Sequence, residues 1–139
     1  MSWDIDHTLI DTHGVGRELS ATAFLRSTGL SMRQQAKIDG ITEQVIFRET
    51  ARLHGMDTDR SDFERFARAL TEAHLRQAAE LRERGHALPG AAAALNELDA
   101  YGVQQTVVSG NVRPVSKIKL QVFGLDQHIL VGTGCVRRG

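Results

Sequence analysis

A single cysteine, Cys135, gives this chain no means of closing an internal disulfide, so packing must hold it together, and a reducing cytoplasm is the expected setting. No apolar run approaches the roughly 20 residues that cross a bilayer, and the N-terminus lacks the charged, apolar and small-residue succession of a signal peptide. No membrane partner is expected. Excess charge is missing too: 17 Lys and Arg face 17 Asp and Glu, without a long run of either sign, which argues against a nucleic-acid partner. Lysine itself is scarce. Only Lys37, Lys117 and Lys119 occur among the basic side chains, the rest being arginine, so each lysine is a candidate for a dedicated role. What is present, 139 residues of which 41% are hydrophobic, suffices for one domain, or one domain with an insertion, around a modest core.

The middle of the chain is helical in texture. From about Gly16 to Gly85, apolar residues recur at helical spacing: Leu19, Ala23 and Phe24 precede a stop at Gly29, and Ser31 is placed to cap a second segment. A third begins at Thr42, sets Val45, Ile46 and Leu53 on one side, and ends at Gly55. Ser61 with Glu64 three residues later predicts a capping box, opening a helix that carries Phe63, Phe66, Leu70, Ala73 and Leu81 to Gly85. Beyond Gly85 the texture alternates. Pro89-Gly90 opens a short helix with Leu95 and Leu98 inward, closed by Gly102, and VQQTVVS has the β-branched density of a buried strand. GNVRP makes a turn, Pro114 suits a helix's first position, and Val115, Ile118, Val122 and Leu125 mark an apolar face before the short strand HILV. The rhythm is that of an α/β protein, a parallel sheet with a long helical insertion after its first strand. In such sheets ligands bind at the carboxyl ends of strands, where Asp4 and Ser109 both fall.

The opening stretch, DIDHTLIDT, puts Asp4 and Asp6 one residue apart with Thr8 after them. A turn in which one aspartate merely caps the backbone is one reading, since short acidic patterns recur by chance. A calcium loop is excluded, because the positions that need Gly and Glu, counted from Asp4, hold Leu9 and Val15. The remaining reading is chemical: a carboxylate at a strand end attacks phosphorus while a second, two residues later, handles protons. A hard cation such as Mg²⁺ would offset their repulsion and bind the phosphoryl oxygen.

WDIDHTLID resembles the first motif, D-x-D-x-T, of the haloacid dehalogenase-like hydrolases, mostly phosphatases and phosphomutases that use an aspartyl-phosphate intermediate. VVSGN resembles the second motif, a strand ending in a phosphate-binding Ser or Thr; PGAAAALNELDAYG is similar to the helix before it, and KLQVFGLDQHI to the segment after it. The helical insertion is similar to the cap of the phosphoglycolate phosphatase and β-phosphoglucomutase group, so the resemblance spans about residues 1 to 131. It implies a Rossmann-like parallel sheet core, incomplete here, over residues 1–14 and 86–139, with an α-helical cap over 15–85. It implies Asp4 as nucleophile and metal ligand, and Asp6 as general acid and base with its backbone carbonyl as second metal ligand, the metal being Mg²⁺. Thr8 would hold the turn, and Ser109 with the backbone N–H groups of Gly110 and Asn111 would bind phosphoryl oxygens. The neutralising cation is Lys117 or Lys119. Both also read as solvated helix residues, and Lys119, directly before Leu120, is the better choice.

The departures from the family pattern are specific. His7 stands where the family often has Gly, and reads as a loop residue rather than a catalyst. The six histidines show no metal-ligand spacing. Gly14 and Gly16 read as a hinge into the cap, and Gly40 with Thr42 and Glu43 as either a substrate-facing cap loop or a plain turn. Arg48, Glu49 and Arg52 are the undistinguished cap candidates for substrate choice. Only about three residues precede Asp4, and after Leu130 the sequence VGTGCVRRG holds no carboxylate where the family's last acidic loop belongs. An incomplete chain is therefore expected, with weak Mg²⁺ binding and a first strand exposed as a sheet edge that favours self-association. Two functions follow: a Mg²⁺-dependent phosphatase for a small phosphorylated metabolite, or an impaired or inactive relative acting as a binding module. Carbon–halogen cleavage is disfavoured, because Asp6 and Thr8 suit phosphoryl transfer.

Overall fold

Helix-forming texture dominates the protein. The computed structural model describes residues 2–6, 8–37, 42–107, 111–127 and 129–131. In chain order the elements are β1 (Ser2–Trp3), β2 (Ile10–Asp11), α1 (Val15–Thr28), α2 (Glu43–Leu53), α3 (Arg60–Arg76), α4 (Ala78–Arg84), β3 (His86–Ala87), α5 (Ala91–Ala100), β4 (Thr106–Val107), α6 (Arg113–Val122) and β5 (Leu130–Val131). Among the described residues each strand is two residues long. A Rossmann-like layered core is not evident among them. The expected parallel alternation is present as one three-stranded sheet of order β1-β4-β5, with Ser2 opposite Thr106 and Thr106 opposite Leu130, both pairs parallel. β1 is an edge of that sheet.

The helices differ from expectation where backbone groups find other partners. α1 ends as anticipated at Gly29, whose left-handed backbone (φ 77°) lets its N–H donate to the Leu25 carbonyl. Residues 31–37, expected to start a helix at Ser31, form none. Their donors go sideways instead: Arg33 N–H donates to His54 Nε2 at 2.9 Å and Ala36 N–H to Thr50 Oγ1 at 3.1 Å. α2 is capped by Thr42 as expected, but it buries Phe47, Thr50 and Ala51, spaced i, i+3, i+4, and leaves Leu53 exposed. The capping box of α3 lies two residues before the predicted one, because Asp59 and Asp62 already supply the same reciprocal pattern: each carboxylate accepts the other's backbone N–H at 2.9 Å. The helix expected to run unbroken to Gly85 divides at Gln77 into α3 and α4.

Two apolar clusters result. One joins Leu19 and Phe24 of α1, Phe47 of α2, Phe66 and Leu70 of α3 and Leu81 of α4, with Phe47 stacked on Phe66 at a centroid distance of 4.7 Å. The other joins Ile5, Leu9 and Ile10 to Leu95, Val107, Leu125 and Ile129. α6 belongs to both, through Val115 to the first and Leu120 to the second.

An unforeseen antiparallel pair, β2 with β3, ties together the two chain segments that flank the helical stretch, Ile10 opposite Ala87 and Asp11 opposite His86. Gly85 sits in the crush of this junction. A Cβ there would lie 2.9 Å from the Asp11 and Leu81 carbonyl oxygens and from the Phe123 ring. Gly85→Ala should therefore lower the unfolding free energy by about 1–3 kcal/mol, as measured by urea denaturation.

Candidate active site

The loop after β1 is built around one carbonyl. Ile5 O accepts the N–H groups of Thr8, Leu9 and Ile10, and Ile5, Leu9 and Ile10 are wholly buried beneath it. That anchoring fixes the backbone of Asp6, which bridges to Ile10. Asp4 is exposed, and its carboxylate accepts the Ile5 N–H at 2.8 Å. Thr8 is exposed as well.

Asp6 meets a lysine from the far end of the chain. Lys119 lies on α6 among buried Val115, Ser116, Ile118 and Leu120, its side chain 6% exposed. Its ammonium donates to Asp6 Oδ1 at 2.8 Å and to Asn111 Oδ1 at 2.9 Å, and Asn111 Nδ2 donates to Asp6 Oδ2 at 2.8 Å. Three side chains thus close a ring of charge-assisted hydrogen bonds, and the ring also fixes which way the Asn111 amide faces. Lys117 is exposed on the same helix. Of the residues singled out from sequence, the structure brings Asp6, Asn111 and Lys119 together; Asp4, Thr8 and Lys117 stand outside the ring. Ser109, Gly110, His7 and Gly40 lie outside the described residues.

The ring borders a cavity of about 500 Å³ between α6 and the helical stretch, a size suited to a small metabolite. Thr12 lines it from the segment before α1, Arg17 and Ser20 from the first turns of α1, Gln35 and Lys37 from the segment after it, Glu43 and Ile46 from α2, and Leu70 and His74 from α3. Arg48 and Arg52, the arginines considered from sequence, instead pair with Glu49 on the surface. Burial pushes the Glu43 carboxyl above its usual range, partly countered by Lys119. Burial also pushes His74 down to about 4, and the Lys119 charge acts in the same direction. His74 belongs to no metal-ligand spacing; the sequence signal it carries is that of a polar residue on the α3 face that also holds Phe66, Leu70 and Ala73.

Among the described residues no group of three acidic, His or Cys side chains could hold a metal. Mg²⁺ asks for less, commonly one or two carboxylates with waters and substrate phosphate, and the exposed Asp4 carboxylate fits a water-rich, weakly held ion, whereas both Asp6 carboxylate oxygens already accept from Lys119 and Asn111. No helix among the described residues is long and apolar enough to cross a membrane.

The haloacid dehalogenase-like hydrolase family model matches residues 2–139. The chain belongs to that family. Solved relatives agree in fold: a hydrolase from Pseudomonas syringae has TM-score 0.66 at 20% identity, matching 94% of this chain and 59% of its own. A predicted phosphoglycolate phosphatase from Haemophilus somnus has TM-score 0.57 at 20% identity, over 96% of this chain and 61% of its own. CbbY from Rhodobacter sphaeroides, in complex with xylulose-(1,5)bisphosphate, has TM-score 0.61 at 17% identity, over 93% and 60%. The chain therefore spans about three-fifths of the length of these solved structures, and its short strands and helices match part of their fold. No curated protein matches it.

Two outcomes test this geometry. Asp6→Ala strands a buried ammonium, so the unfolding free energy should fall by about 2 kcal/mol, a partly exposed pair costing less than a fully buried one. Adding Lys119→Met should restore most of that loss in a double-mutant cycle read by urea denaturation. The second concerns pH. His74 is depressed in the folded chain, so the unfolded chain binds the extra proton first and stability falls as pH drops from about 6.5 towards 4, by up to about 3 kcal/mol; raised Glu43 contributes the opposite slope above its unfolded value. The difference between wild-type and His74→Leu denaturation curves across this range should isolate the histidine's share.

Proposed function

We propose that this chain is a Mg²⁺-dependent phosphoric monoester hydrolase, acting on a small phosphorylated metabolite through an aspartyl-phosphate on Asp4. The observation that carries the reading is the Asp6–Lys119–Asn111 ring at the edge of a metabolite-sized cavity, in a chain of this family. The finer architecture belongs to the same proposal: a Rossmann-like core from residues 1–14 and 86–139, with residues 15–85 as its helical cap, and the β1 edge as a self-association surface. Xylulose-(1,5)bisphosphate in the Rhodobacter relative fits the substrate class.

In this mechanism a carboxylate oxygen of Asp4 attacks phosphorus and the ester P–O bond breaks. Asp6, a carboxylate while it is held in the ring, takes up a proton from solvent once phosphate draws Lys119 away, gives that proton to the departing alkoxide, then takes one from the water that cleaves the phospho-aspartate, so its protonation is restored for the next turnover. Lys119 supplies a desolvated positive charge for the phosphoryl oxygens. An arriving phosphate competes with Asp6 for that ammonium, which frees an Asp6 oxygen for proton transfer. Ser109 and the Gly110 and Asn111 backbone are proposed to complete the phosphate cradle, with Thr8 holding the turn and Lys117 outside it as the lesser cation. Mg²⁺ held by Asp4 and Asp6 would supply Lewis-acid polarisation and charge neutralisation.

Release of p-nitrophenol from p-nitrophenyl phosphate, with Mg²⁺ and with EDTA, tests this reading. Turnover should require Mg²⁺, vanish in Asp4→Asn, and fall about 10²-fold or more in Asp6→Asn and Lys119→Met. Activity surviving in Asp4→Asn would remove the nucleophile from the scheme, and silence with every divalent metal would leave a binding module in place of an enzyme.

A further inference from the structure

The proposed phosphoryl chemistry uses the Asn111 backbone and gives its side chain no part. A carboxylate turns about χ2, a broad and roughly two-fold torsion, so its plane is set by whatever grips its oxygens. Lys119 grips Asp6 Oδ1 at 2.8 Å, but an ammonium is a point charge on a flexible stem and fixes no plane. Asn111 grips the other oxygen, its Nδ2 donating to Asp6 Oδ2 at 2.8 Å. Its amide is planar, the residue is 7% exposed, and its own Oδ1 is held in turn by the Lys119 ammonium at 2.9 Å. The Asp6 side chain is 39% exposed, so packing alone does not orient it. Serving Lys119 calls only for an acceptor; the donor directed at Asp6 is what singles out an amide at this position.

We propose that the Asn111 side chain is the positioning residue of the general acid, holding Asp6 by Oδ2 so that Oδ1 delivers the proton. When phosphate draws Lys119 away, the oxygen released is Oδ1, while Oδ2 stays tied to Nδ2. Oδ1 and the incoming phosphoryl group share one ammonium, so the freed oxygen is the one next to the ester. The Oδ1–H bond breaks as its proton passes to the ester oxygen, and that oxygen takes the P–O electron pair with it, leaving as an alcohol. Without Asn111 the carboxyl turns about χ2 and presents either oxygen at a range of angles, and a misplacement of about 1 Å costs on the order of 10²-fold in rate. The inference rests on the hydrolase reading, to which it adds the residue that aims Asp6.

Leaving groups separate this part from a merely structural one. p-Nitrophenolate departs without a proton, whereas phenolate, on a ring of nearly the same shape, is the poorer leaving group and gains from one. The quantity to compare is kcat/KM, which closes with departure of the phenol and excludes the later hydrolysis of phospho-Asp4. In Asn111→Leu it should fall about 10²-fold with phenyl phosphate and only severalfold with p-nitrophenyl phosphate. Asp6→Asn should show the same split, and the double variant should add little to it, as for two residues acting in one step. Equal loss with both esters, or none with either, overturns the inference and leaves the hydrolase reading standing. A wild-type chain that hydrolyses p-nitrophenyl phosphate alone has no acid to aim and overturns it too; one that hydrolyses neither ester sinks the hydrolase reading and this inference with it. Should Asn111→Leu not fold, nuclear magnetic resonance of the wild-type chain decides. With Mg²⁺ and inorganic phosphate the Lys119 Nζ signal should move while the Asn111 Nδ2 protons keep the downfield position of a carboxylate-bound amide. An Nδ2 signal that moves with Lys119, or a Lys119 signal that phosphate leaves in place, overturns the proposal.

Discussion

A lysine withdrawn from water governs much of this molecule. Desolvating an ammonium costs several kcal/mol unless good acceptors surround it, and Lys119 meets that demand with Asp6 from the first loop and the Asn111 side chain from the approach to its own helix. The partners lie 113 and 8 residues away in sequence, so the ring forms only once the N-terminal loop and α6 are both in place. Ile5, Leu9 and Ile10 make that possible by sinking into the second apolar cluster and holding the loop above it. α6 does the same from the other side, since Val115 and Leu120 commit it to two clusters at once and leave Lys119 nearly withdrawn from solvent at the edge of the cavity.

The cavity beside the ring has two electrical characters. Near α6 the wall carries a full positive charge opposite a carboxylate, suited to a dianionic group. Towards the helical stretch it offers a neutral imidazole, a carboxyl whose charge is discouraged by burial, and apolar Ile46 and Leu70.

Much of this was legible in the chain, for identifiable reasons. Asp6 could be picked out from the D-x-D-x-T pattern and Lys119 from its place before Leu120 among positions that pack, and Gly29 and Pro114 marked helix ends through constraints local to the backbone. The misplaced elements all depended on distant partners. Ser31 satisfies every local rule for a cap, but the backbone after it is claimed by His54 and Thr50 of another segment. Leu53 fits an apolar face that α2 does not turn inward, because Phe47 finds Phe66 on the opposite side. The β2–β3 pair was invisible since two-residue strands carry no periodicity, and 75 residues separate Asp11 from its partner His86.

That same pair makes the helical stretch topologically cheap. Its two ends meet in register at Ile10–Ala87 and Asp11–His86, reinforced by the Leu88 N–H donating to Leu9 O at 2.8 Å, so whatever lies between is a closed loop whose entropy grows only slowly with its length. Helices can be lengthened, shortened or exchanged inside the clasp while the parallel strands keep their pairing. The helices inside the clasp and the parallel strands outside it are thereby free to vary at different rates, joined at a seam four residues wide.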